Sequence, residues 1–245
     1  MNRFENILII NADGKAVEWV VGSWLANDPV ALEEIIRGLD MHTDNQSKFK
    51  LPSRLIAKKF IFRLIFGGQA YSYANDPDFT DVSTSQKFWE KAIAAFHEKY
   101  QGWSSWWIEL LRTATTTGRI VSPLGRVWQY QPYQNERGEW KWPVTTIKNY
   151  IVQGTSADLM CLSRVMFKKR FDEEKIDGVL ITTVHDSIVA DVADYEEERT
   201  VRLFHEVFNA VPSEVERLFG VPFQIPFRVE VATGTTMGNL QEFKI

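Results

Sequence analysis

The chain has 245 residues, of which 44% are hydrophobic and 13% aromatic, and its formal net charge is −4. That is enough apolar material to pack one large domain or two small ones, which excludes an intrinsically disordered chain, and no apolar run approaches the ~20 residues needed to cross a bilayer. The negative charge excludes nucleic-acid binding through overall charge but leaves local basic patches open, and the single cysteine, Cys161, excludes a disulfide framework or a thiolate zinc centre.

Taken in chain order, "NILIINADGK" opens with a β-type apolar run that leads to Asp13. The N-terminal stretch "MNRFENILII" lacks a small-residue cleavage pattern, so no signal peptide is expected and a reducing cytoplasm fits. The chain after Glu18 reads helical, and "DPVALEEIIRGL" starts at an Asp-Pro step and stops near Gly38. "LDMHTDNQSKFKLPS" reads as a polar connection, after which Ser53 caps a helix over "RLIAKKFIFRLIFGG" that the two glycines end. Two more helices follow, one starting near Thr84 or Ser85 and one over "WSSWWIELLRTATTT" closed by Gly118. The segment "GRIVSPLGRVWQYQPYQNERGEWKWP" reads as a hairpin region, "TTIKNYIVQGTSADLMCLSRVMFKKRF" as a long helix, and "GVLITTVHDSIVADVAD" as two strands about a tight turn at His185–Asp186. A helix interrupted near Pro212 and a closing strand "FRVEVATG" complete the order. Strands broken by a helical insertion imply an α+β fold, an antiparallel sheet with backing helices.

The helix from residue 54 carries two stripes. Arg54, Lys58, Phe62 and Phe66 stand four residues apart, so each step drifts only about 40° and the four form one slanting row. Ala57, Ile61, Leu64 and Ile65 form an apolar row about 100° away that can enter a core. Between Lys48 and Arg63 lie six Lys or Arg and no acid. This run is either a solvated helix face or a surface for an anion.

Asp13 ends an apolar strand and Asp186 sits at a hairpin tip. A carboxylate there is costly unless a hydrogen bond or cation compensates it. Each alone reads as a turn or capping residue; on neighbouring strands the pair would suit hard divalent cations and phosphoryl transfer. The sequence does not show that the strands are neighbours. His185 has no Cys or His at ligand spacing, so zinc is not expected. Gln153 is open between a solvated helix residue and a base-edge contact, and the chain has neither GxxxxGK[ST] nor GxGxxG.

In their order, these motifs resemble the family A DNA polymerases, the DNA polymerase I type. Asp13, Glu18, Asp28–Pro29 and Gly38, Asp40, His42 match that family's first motif; Arg54, Lys58, Phe62, Phe66 and Gly67 match R-x3-K-x3-F-x3-Y-G. Arg126 matches its glycine–arginine hairpin, Asn149, Gln153 and Asp158 its N-x3-Q-G-T-A-A-D helix, and "VHDS" its V-H-D-E. The resemblance implies Mg²⁺-dependent, template-directed synthesis from dNTPs on primer–template DNA. Two Mg²⁺ would be held by Asp13, the Gly14 carbonyl and Asp186. Arg54, Lys58 and His42 would meet the triphosphate, with Lys58 also catalytic, and Phe62 and Phe66 would meet the sugar, base and templating pair. Glu18 would crowd the 2′ position. Arg126, Asn149, Gln153 and His185 would hold primer and template. It also implies residues 1–18 and 138–245 as palm and 19–137 as fingers.

The chain departs from the pattern at Phe66, where Tyr is usual, at Ser187, which replaces an acid, and at Met237, where Trp is often found. It begins about a dozen residues before Asp13, so a thumb and an exonuclease domain are expected to be absent. The expectation is a C-terminal piece of a split phage polymerase, in a bacterial or phage-infected cytoplasm, with an N-terminal partner chain supplying the thumb and no membrane association. A non-catalytic DNA- or partner-binding remnant is the alternative. A metal-dependent nuclease is a third reading, though it leaves Glu18 and the Arg54 row unexplained.

Overall fold

The computed structural model describes residues 7–244, which divide into two units: the chain up to Val20 with Gly154 onward, and Val21–Gln153. In chain order the elements are β1 (Ile7–Gly14), α1 (Val17–Ala26), α2 (Pro29–Arg37), α3 (Met41–Lys48), α4 (Arg54–Ile65), α5 (Ala70–Ala74), α6 (Pro77–Thr80), α7 (Gln86–Lys99), α8 (Gln101–Thr117), β2 (Arg119–Val121), β3 (Val127–Gln129), β4 (Tyr133–Gln134), β5 (Trp140–Lys141), α9 (Val144–Glu173), β6 (Gly178–Val184), β7 (Ser187–Ala193), α10 (Glu197–Phe219), β8 (Val229–Gly234) and β9 (Gln241–Glu242).

The first unit is a five-stranded antiparallel sheet, ordered β6-β7-β1-β8-β9, with helical backing, so the fold class is α+β. β1 lies in the middle because both its edges are paired, and Ile10 and Ala12 along it are fully buried. The sheet is covered by α10, whose buried row Val201, Phe204, Phe208, Val211 and Val215 recurs at helical spacing. Phe204 stacks on Phe167 of α9 at 3.7 Å between ring centroids, and Phe208 on Phe227 at 5.5 Å. Each buried aromatic contributes about 1.5–3 kcal/mol relative to exposure. That row also corrects the expected interruption at Pro212: α10 runs through the proline unbroken. Phe208 and Val215, anchored on either side, offset the roughly 3 kcal/mol that a mid-helix proline costs. The expected closing strand is joined by a further one, β9, which pairs with β8 through Ala232↔Glu242 and Thr233↔Gln241.

The second unit is mostly helical. The apolar row of α4 is buried as its spacing requires, with Ala57, Ile61, Leu64 and Ile65 all at 4% exposure or less. Beneath it Phe60, Tyr73, Phe79 and Trp89 form one aromatic cluster, and the Tyr73 hydroxyl donates to the Phe60 carbonyl at 2.9 Å. Asp28, fully buried, ends two helices at once. Its Oδ1 accepts from Val30 N (3.1 Å) and Ala31 N (2.9 Å) at the start of α2, and its Oδ2 from Gly102 N (2.8 Å) and Trp103 N (3.2 Å) at the start of α8.

The segment expected as a polar connection contains α3. Its composition hides a helix that its ends specify: Asp40 caps it, accepting from His42 N at 3.1 Å, and Lys48 lies in its last turn. A buried network fixes this helix to α2 and α7. Lys99 pairs with Glu34 at 2.7 Å, the Tyr100 hydroxyl donates to Glu34 at 2.8 Å, and Asn45 donates to Tyr100 at 2.8 Å. The short helices α5 and α6 follow Gly67–Gly68, and the hairpin region resolves into two ribbons, β2–β3 and β4–β5.

Candidate functional site

In the first unit, β1 pairs antiparallel with β7, so Asp13 lies directly opposite Ser187, and Asp186 is the second residue of the two-residue turn between β6 and β7. The neighbourhood left open by the sequence is thus formed. Two bonds hold it: Gly14 N donates to the Asp186 carbonyl at 2.8 Å, and the Ser187 hydroxyl donates to Asp13 Oδ2 at 2.6 Å. Gly14 has no room for a side chain, because a Cβ there would stand 2.5 Å from Val17 Cγ2 and 3.2 Å from Met160 Sδ. His185 occupies the left-handed region at φ +52°, a conformation that costs a non-glycine residue about 1–3 kcal/mol. Such strain persists where the surroundings over-determine the backbone, here a turn that sets the position of Asp186.

Glu18 sits in the first turn of α1. Burial raises its pKa, the Asp186 carboxylate raises it further, and His185 opposes both. Asp13, Glu18, His185 and Asp186 therefore belong to one end of the sheet. The donors are hard oxygens, suited to Mg²⁺ or Mn²⁺, which commonly take only one or two protein carboxylates and complete their shell with water and phosphate. Two carboxylates fit that pattern. Among the described residues no group of three or more His, Cys, Asp or Glu is placed to hold an ion.

In the second unit, α4 presents Arg54 and Lys58 to solvent and Phe62 and Phe66 half-buried, with Phe66 the residue that caps the helix C-terminus. α3 places His42 against them. Its ring centroid is 6.0 Å from that of Phe62, and the Lys58 ammonium stands 6.0 Å from the same Phe62 ring. Burial, with the charges of Arg54 and Lys58, pushes the His42 pKa down to about 4, although Asp40 opposes it. The imidazole is neutral at pH 7 and Nδ1 is buried without a hydrogen-bond partner. Asp40 is the residue whose part was missed. It holds Arg54 bidentately, at 2.5 Å from Nε and 3.2 Å from Nη2, and that bond to the guanidinium holds its own carboxyl far below the usual range. The signal was an N-cap Asp two residues before His42 and fourteen before an Arg.

Arg126 lies at the turn of the β2–β3 ribbon, where its N–H donates to Ser122 Oγ at 3.1 Å and Gly125 takes φ +89°. Asn149 and Gln153 are one turn apart on α9; Gln153 is exposed, and Asn149 Oδ1 is buried without a partner.

The fold is that of a polymerase domain. The POL domain of Pol1 from M. smegmatis, solved in complex with DNA primer-template and dNTP, matches 94% of this chain and 40% of its own at a TM-score of 0.75 and 18% identity. The family model for DNA polymerase family A matches residues 2–239, and the chain belongs to that family. Among its relatives, DNA polymerase I of Geobacillus stearothermophilus is 25% identical over 239 residues, covering 94% of this chain and 26% of the relative. The thermostable DNA polymerase I of Thermus aquaticus is 25% identical over 246 residues, covering 94% and 27%. The chain thus spans about a quarter of the length of these relatives. No helix among the described residues is long and apolar enough to cross a membrane.

Proposed function

We propose that this chain joins deoxynucleotides to a primer 3′-OH under the direction of a template strand, with residues 1–18 and 138–245 as palm and residues 19–137 as fingers. The observation that carries the reading is the β1–β7 register, which puts Asp13 one residue from the turn that bears Asp186, in a chain of the DNA polymerase family A. Asp13, Asp186 and the Gly14 carbonyl would hold two Mg²⁺. When bound, such ions favour the ionised primer hydroxyl and neutralise charge on the leaving pyrophosphate.

The remaining work falls to the chain's own groups. Arg54 and Lys58 would meet the triphosphate by charge-assisted contacts, with His42 beside them. Arg54 would meet it while turned by the Asp40 carboxylate, and Lys58 would stabilise charge that builds during transfer. Phe62 and Phe66 would pack on sugar, base and templating pair. Glu18, with a half-buried carboxyl beside Asp186, would exclude a 2′-OH, the group that separates RNA from DNA. Arg126, Asn149, Gln153 and His185 would bind primer and template. A bacterial or phage-infected cytoplasm is the setting this activity implies.

Primer extension tests the reading, run with the chain alone and with an added polymerase chain carrying thumb helices. Template-dependent extension that needs Mg²⁺ and is lost in Asp13→Ala and Asp186→Ala is the expected result. Absence of extension by folded wild-type chain in both formats, with DNA binding unchanged in the two variants, would establish the binding remnant instead, a reading that the neutral Ser187 favours.

A further inference from the structure

We propose that Ser187 is a positioning residue for the Asp13 carboxylate, tying down one of its oxygens so that the group meets a divalent cation in a single orientation. This rests on the reading of Asp13 and Asp186 as cation ligands.

The two residues are 174 positions apart in sequence and directly opposite in the β1–β7 pair. The Ser187 hydroxyl donates to Asp13 Oδ2 at 2.6 Å, the short distance expected when the acceptor is ionised. Its own position is fixed from both ends. Ser187 is the first residue of β7, paired across the turn with Val184, and Gly14 N donates to the carbonyl of the preceding Asp186. A carboxylate rotating freely at a strand end can offer a cation either oxygen or both. One that is hydrogen-bonded at a defined oxygen has its plane set before the cation arrives.

The residue type matters as much as the bond. An acid at 187 would set two like charges directly opposite each other on adjacent strands, a destabilising pair. Serine replaces a repelling neighbour of Asp13 with a donor. The site then holds fewer charges, each more strictly aimed, so its cation affinity depends on orientation.

The test is Mn²⁺ binding to the full chain without nucleotide, read as loss of the free Mn²⁺ electron-paramagnetic resonance signal, for wild type, Ser187→Ala, Ser187→Thr and Asp13→Asn. Thermal unfolding of each confirms that it folds. Loss of a partner that orients a ligand typically costs 10–100-fold in metal affinity. The expected result is about a tenfold weakening in Ser187→Ala and a value within about twofold of wild type in Ser187→Thr, which keeps a hydroxyl on the same carbon. Affinity in Ser187→Ala equal to wild type, or in Ser187→Thr as weak as in Ser187→Ala, overturns the positioning role alone, provided Asp13→Asn loses Mn²⁺. Equal Mn²⁺ binding by wild type and Asp13→Asn overturns the ligand reading, and the positioning role falls with it.

Discussion

Asp28→Asn is nearly isosteric, yet it should be among the more damaging single changes in the helical unit. The carboxylate accepts four backbone N–H groups, two on each oxygen, and is fully buried. Asparagine has one acceptor oxygen. If that oxygen keeps Val30 and Ala31, the amide NH₂ faces the N–H groups of Gly102 and Trp103, donor against donor. Two hydrogen bonds to a charged group are lost at about 1.5–3 kcal/mol each, so the expected cost is about 3–6 kcal/mol. In a chain of this length that lowers Tm by roughly 6–24 °C. Urea titration followed by tryptophan fluorescence measures it directly, since Trp103 sits at the affected helix start. Asp28→Ala should cost at least as much, because it strips both helices of their cap. An Asn variant within about 1 kcal/mol of wild type would refute the idea that one carboxylate joins α2 to α8.

Three further outcomes follow from the site. Lys58→Ala should raise the dNTP KM and lower kcat in primer extension, cutting kcat/KM by about 100-fold, because its charge would act on both ground and transition states; unchanged nucleotide kinetics would remove Lys58 from the machinery. Glu18→Ala should raise ribonucleotide incorporation about tenfold or more relative to deoxynucleotide, and unaltered discrimination in paired single-nucleotide assays would rule it out as the gate. His42 has a folded pKa near 4 against 6.5 in the unfolded chain, so its contribution is present above pH 6.5 and is lost as pH falls toward 4. Wild type should lose about 2–3 kcal/mol more than His42→Gln between pH 7.5 and pH 4, and equal losses in urea titrations would contradict the buried neutral imidazole.

Local patterns carried much of the fold. The hairpin about His185–Asp186 was legible because apolar runs flank two residues that cannot both join a strand, and helix ends were legible at Ser53, Ser85 and Gly118, where a cap or a positive-φ glycine leaves a signature. α3 was not, because its eight residues are mostly polar and its stability comes from Asp40 at one end and from the buried Glu34–Lys99–Tyr100–Asn45 network. Pro212 misled for the opposite reason: its local penalty is real, and the burial of Phe208 and Val215 outweighs it. At the site, the spacing of Arg54, Lys58, Phe62 and Phe66 was readable within one helix. Asp13 beside Ser187 and Asp28 across to Gly102 join distant parts of the chain, and no local pattern encodes them.

The two-residue turn at His185–Asp186 also restricts how this chain can vary in length. Side chains on a strand alternate between faces, so adding or removing one residue there would slide β7 against β6 and turn Ser187 to the opposite side of the sheet. Insertions of several residues are tolerable at the β4–β5 ribbon, which carries no residue of the acidic cluster, whereas a single codon gained at the β6–β7 bend would scramble it.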